Sequence, residues 1–189
     1  MNTRSSPAIA AATAALVLTG CGSTVSTGST VSTGTQAAAN DSTSNAPAPS
    51  SCQSQALAWK SGGGASRIGA IVSDLSAVQK ALAATQDAGN GSSSAESTLQ
   101  SAAASLRSDV HTAEGALPPA CIPELRLSYR QALTEYSDAA RDFENTVSEL
   151  RKGNDGVAMA DAQAGTNATG AGDTKFDAAD AALNTFLNS

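Results

Sequence analysis

The stretch "YRQALTEYSDAARDFENTVSEL", residues 129–150, decides the fold. Within it Tyr129, Leu133, Tyr136, Ala140, Phe143, Val147 and Leu150 recur at alternating spacings of four and three. Such alternation averages 3.5 residues, the period at which helices pack along a left-handed seam. The positions between are charged with both signs. Glu135, Asp138, Asp142, Glu144 and Glu149 interleave with Arg130, Arg141 and Arg151, which reads as a solvated outer face. The stretch is therefore an amphipathic helix whose inner face carries two tyrosines and a phenylalanine.

Working outward, three more segments carry the same period. One runs Leu57, Ser61, Gly64, Ile68, Ile71, Leu75, Val78 and Leu82. The next runs Leu99, Ala103, Leu106, Val110, Ala113 and Leu117. The last runs Ala158, Ala162, Gly165, Thr169, Gly172, Phe176, Ala179, Leu183 and Phe186. Helix boundaries fall between them. Ser93-Ser94-Ala95-Glu96 reads as a capping box, and Pro118-Pro119 closes the second segment. Pro123-Glu124 suits the first turn of the third, where a missing amide costs nothing. Gly153-Asn154-Asp155 separates the third from the fourth. Short connections make neighbouring helices antiparallel, so the expectation for residues 52–189 is an all-α, up-down-up-down four-helix bundle. Two glycine clusters disturb it. Gly62-Gly63-Gly64 either breaks the first helix or lets a neighbour approach closely. Gly165, Gly170 and Gly172 make the middle of the last helix soft and prone to kink.

Composition agrees with helices. Of 189 residues, 41% are hydrophobic but only 3% aromatic, so the core is built mainly from Ala, Leu and Val, a poor set for a sandwich. The net charge of −6 repels phosphate backbones and argues against nucleic acid as a partner. No phosphate-binding loop, HExxH or EF-hand loop is present, and no cofactor is expected. His111, the one histidine, sits three residues from Glu114. A di-iron bundle would need Glu-x-x-His twice plus two further glutamates, so this is read as a surface pair. With His111 as the one histidine and no spare thiol, neither a Ser-His-Asp triad nor a Cys–His pair has visible support.

The N-terminal residues suggest an address. Arg4 precedes the uncharged run Ala8–Leu18, too short for a bilayer span and of the length of a signal-peptide apolar core. The run ends in Leu18-Thr19-Gly20-Cys21, which resembles the bacterial lipobox. That resemblance implies a signal peptide over residues 1–20, a lipid-modified Cys21, and a chain held on the outer face of the cell membrane. Residues 22–51 are Ser, Thr, Gly, Ala, Asn and Pro with almost nothing else, with "STVSTG" repeated in tandem at 23–34. Such a segment cannot offset its ordering entropy. It reads as a flexible tether from Cys21 to residue 51, with a coil span of ~30 Å. With Cys21 lipidated, Cys52 and Cys121 are left to pair. In an up-down bundle the starts of the first and third helices lie at one end, so a Cys52–Cys121 disulfide is expected.

Two groups of residues are candidates for function. Trp59 lies off the seam of the first helix and either caps the bundle end or is exposed for contact. Tyr129 and Tyr136 are core residues or the lining of a ligand cavity. The early Trp followed by glycines, the Pro-rich turn and the Tyr-x6-Tyr spacing also resemble uncharacterised lipid-anchored helical proteins of high-GC Gram-positive bacteria. That likeness implies fold and location only. The leading expectation is a non-enzymatic envelope scaffold or interaction module with a protein partner; the alternative is a small-molecule binding protein with a site between the helices.

Overall fold

The computed structural model describes residues 51–87 and 92–189; the signal peptide, Cys21 and nearly all of the expected tether lie outside the described residues. The described residues contain five α-helices and no strand. They are α1 (Ser51–Trp59), α2 (Ala65–Asp87), α3 (Ser93–Glu114), α4 (Pro123–Arg151) and α5 (Asp155–Leu187). The fold is all-α. Close packing runs in chain order, α2 on α3, α3 on α4 and, most extensively, α4 on α5. Cys52 and Cys121 form the expected disulfide, Cα–Cα 6.0 Å, tying the start of α1 to the approach to α4.

The first predicted helix is two helices. A single wide turn, Lys60–Gly64, separates α1 from α2, and Gly63 within it has φ 108°. Side chains rarely adopt that backbone conformation, so glycine permits the break. The break also shifts the helical face. In α1 the inward residues are Cys52, Ala56 and Trp59, while Leu57 is 48% exposed and Ser61 faces solvent. The expected seam through Leu57 and Ser61 is therefore corrected, and so is the placing of Trp59 off the seam. From Gly64 to Leu82 the predicted face is the buried one.

The last helix runs unbroken through its glycines, because two of them face aromatic rings. A Cβ on Gly165 would lie 2.9 Å from Cε1 of Phe143, and one on Gly172 would lie 2.5 Å from Cε1 of Tyr136. Tyr136 and Phe143 are seven residues apart on α4, Gly165 and Gly172 seven apart on α5 in reverse order, so the two helices are antiparallel. Buried Ala158 and Ala179 continue the row of small residues at the same spacing. Each glycine costs ~1 kcal/mol of helix propensity relative to Ala. Each buried ring removes ~150–250 Å² from water, worth roughly 4–6 kcal/mol at 25 cal/mol/Å². The ring contact is the larger effect. The buried threonine hydroxyls on these faces are satisfied locally, Thr146 donating to the Asp142 carbonyl and Thr169 to that of Gly165, both at 2.9 Å.

Helix ends follow the expected chemistry with shifts. Ser92, not Ser93, caps α3, its Oγ accepting from Ala95 N–H at 3.5 Å. Glu96 does not reach back as in a capping box. It is buried, with Oε2 3.7 Å from Arg151 Nε, and so links the start of α3 to the end of α4. α3 ends at Glu114 with Gly115 as its cap, before the chain reaches Pro118 and Pro119. Pro123 opens α4 as expected.

The glycine contacts give a matched test on one helix. Gly170 of α5 has open space where a Cβ would go, so Gly170→Ala is expected to stabilise the protein by about 0.5–1 kcal/mol in urea unfolding. Gly172→Ala, two residues on, is expected to destabilise it by about 1–3 kcal/mol through overpacking against Tyr136.

Candidate functional site

The break at Gly63 places the Trp59 ring over the start of α2. A Cβ on Gly64 would lie 2.7 Å from Cε2 of that ring, so Gly64 lets the indole lie close to the backbone. The indole N–H donates to the Ala116 carbonyl beyond the end of α3 at 2.8 Å. Trp59 meets Tyr129 of α4 edge-on, with centroids 5.5 Å apart and planes at 88°. Tyr129 in turn meets Phe176 of α5 at 6.4 Å and 59°. Three rings from three helices thus form a file at the end of the domain that carries the disulfide.

Beside this file lies a half-open cavity of about 170 Å³. Ile68 of α2, Leu125 and Tyr129 of α4, and Phe176, Ala179 and Leu183 of α5 form its wall, with Trp59 at one side. Lys60 and Asp180 complete the lining and are both exposed. The cavity lies between α2 and α5, which meet far less than the sequential helix pairs do.

Tyr129 is the polar member of the inner wall. It is 1% exposed, and its hydroxyl is buried with no hydrogen-bond partner among the described residues. Burial raises its pKa above the ordinary value, against a smaller opposing effect of the Arg67 charge. An unpaired buried hydroxyl costs about 1–3 kcal/mol, so its retention calls for a reason. Tyr136 is different. It does not line the cavity; its ring lies against Gly172 and its hydroxyl donates to Asp173 Oδ1 at 2.8 Å. Burial, and then the Asp173 carboxylate, push its pKa far above the ordinary range. Of the two tyrosines expected to share a site, the structure brings only Tyr129 to the cavity, together with Trp59. Phe176 was legible as a seam residue, but its pairing with Tyr129 depends on how α4 and α5 register, which helical spacing does not reveal.

The other polar groups stay apart from this cavity. His111 and Glu114 form an exposed pair at 3.5 Å. On the outer face of α4, Arg141 pairs with Asp138 at 2.9 Å, and Arg107 of α3 reaches Glu144 at 2.8 Å. Asp74 of α2 has its pKa raised by burial and by the neighbouring Asp109 of α3. Among the described residues no group of three or more His, Cys, Asp or Glu side chains could hold a metal ion, and no helix is long and apolar enough to cross a membrane. Comparison of the chain with protein-family models, curated proteins and solved structures finds no match.

The two tyrosines, all that the chain contains, give a pH test. Both folded-state pKa values lie above the ordinary 10.0, so the fold favours the protonated phenols. That stability is fully present below about pH 10 and is lost as pH rises beyond it. In a spectrophotometric titration, phenolate absorbance is expected to appear well above pH 10 and together with loss of helical circular dichroism. A reversible ionisation of either tyrosine near pH 10 with the helices intact would contradict the burial described.

Proposed function

We propose that this chain is an extracytoplasmic lipoprotein, anchored on the outer face of the cell membrane through lipid on Cys21. Residues 22–51 serve as its tether, and the domain is a non-enzymatic up-down-up-down bundle of four main helices, α2 to α5, with α1 folded back across one end. Its role is to bind a small apolar molecule or group between the helices. The observation that carries this reading is the half-open, largely apolar cavity walled by Trp59, Tyr129 and Phe176. Apolar pockets with few convergent polar groups are the usual form of small-molecule sites. A space of ~150 Å³ in a helical core is enough to take up benzene. The antiparallel α4–α5 pair and the disulfide at the start of α1 support the bundle topology.

An envelope scaffold that engages a protein partner through Trp59 is the second reading. It is supported by the anchor and tether, and it calls for an exposed indole. Trp59 is half-buried, with its N–H already bonded to Ala116, which favours the small-molecule reading.

Trp59 is the only tryptophan, so it reports on the cavity directly. Titration with toluene is expected to give a saturable change in Trp59 emission, which Ala179→Leu abolishes by filling the space. An absent change, or one that Ala179→Leu leaves intact, would count against the reading.

A further inference from the structure

We propose that the Cys52–Cys121 disulfide is a redox latch: a dithiol that reduces it releases α1 and uncovers the aromatic cavity, while α2 to α5 stay folded. The inference goes beyond the binding reading and does not depend on what occupies the cavity. It starts from the unequal hold on the two cysteines. Cys121 lies in the turn before α4, and that turn is anchored without the disulfide. Ile122 and Leu125 beside it are buried. The Ile122 N–H donates to the Pro119 carbonyl at 3.2 Å, and Arg126 Nη1 to that of Pro118 at 3.5 Å. Cys52 lies on α1, a helix of nine residues of which only Ala56 is buried. A helix so short is marginal alone in water. Besides the disulfide, α1 is tied by Gln53 Nε2 donating to the Leu187 carbonyl at 3.4 Å, and by Trp59 through Tyr129 and Ala116. The turn that follows is a ready hinge. Gly63 has φ 108° and Gly62 faces open space, so the backbone can change direction there at little cost.

Accessibility sets the direction of attack. Cys121 is exposed and Cys52 half-buried, so a thiolate of the dithiol bonds to Cys121 Sγ. The Cys121–Cys52 bond breaks, and Cys52 leaves as a thiolate that takes a proton from water. The second thiolate of the dithiol then displaces Cys121 in the same way. The dithiol is oxidised to a disulfide, and its two electrons reduce the two cysteines. With the link cut, nothing covalent keeps Cys52 opposite Cys121. The ordering of α1 then rests on one ring, one small buried side chain and neutral hydrogen bonds, too little to offset the entropy of nine ordered residues. α1 swings out on the glycine turn and takes Trp59 from the side of the cavity. The packing of α4 on α5, through Tyr136 on Gly172 and Phe143 on Gly165, does not involve α1.

The test uses the full chain, dithiothreitol as the dithiol, and Trp59, the only tryptophan, as the reporter. Alkylation followed by mass measurement counts the thiols released. The expected result is reduction under native conditions, with a red shift of Trp59 emission, loss of its near-ultraviolet circular dichroism and access of acrylamide to the indole. Most of the helical signal and a cooperative thermal transition should remain, and reoxidation should restore the first spectrum. Cys52→Ser/Cys121→Ser is expected to show the reduced spectrum with no reagent present. A disulfide that resists dithiothreitol until the helices melt would overturn the latch. So would a reduced chain, or the double variant, in which the Trp59 signals stay as in the oxidised protein. A reduced chain that loses its helices together with the Trp59 signals would overturn it too, making the disulfide a staple of the whole fold.

Discussion

The rings of Tyr136 and Phe143 rest on α5 where it has no Cβ to hold them off. Most of the domain depends on that contact. Glycine at 165 and 172 lets α4 and α5 approach closely, and their packing is the most extensive in the molecule. The chain contains few large side chains, so removing these rings from water is a large share of what holds the fold. The same contact fixes the antiparallel register of α4 and α5. That register then determines what lies opposite Tyr129, one step further along the aromatic row.

At Tyr129 the pattern changes. The ring meets Trp59 edge-on and Phe176 at a tilt, and the space between α2 and α5 is left partly open. α1 supplies one wall of that space. It is held there by the Cys52–Cys121 disulfide, by Gln53 Nε2 donating to the Leu187 carbonyl at 3.4 Å, and by the Trp59–Ala116 hydrogen bond. The site is thus assembled from a short helix set off by the kink at Gly63 and from parts of α2, α4 and α5. Ser51, the first of the described residues, lies beside Cys52 at that same end of the domain.

The inner faces of the helices were legible in the spacing of apolar residues. Leu99 to Ala113, Tyr129 to Val147 and Ala158 to Leu183 are buried almost as the alternation of three and four requires. The disulfide was legible because helix order brings the two cysteines to one end. The break at Gly63 was visible only as a choice between two outcomes. A glycine run can break a helix or admit a neighbouring helix; here Gly63 breaks it, and Gly64 makes room for Trp59 of the same predicted segment instead of another helix. The face of α1 was misread because periodicity was carried across that break. Gly165 and Gly172 were read as weakness, since propensity is a local property and the rings that fill their place come from another helix. The cavity was the least legible feature. Its lining is drawn from α1, α2, α4 and α5 together, which no single helix encodes.

One measurement addresses both the proposed anchor and the proposed small-molecule site. Native mass spectrometry of the full chain, extracted gently from its own membranes, reads the covalent state and any bound molecule together. The prediction is a monomer that begins at Cys21, bears acyl mass on that residue, and carries a reproducible adduct small enough for a cavity of about 170 Å³. A chain that retains residues 1–20 without acyl mass would contradict the anchor. An acylated chain that is bare, or that carries another polypeptide instead, would contradict the binding role and point to the scaffold reading.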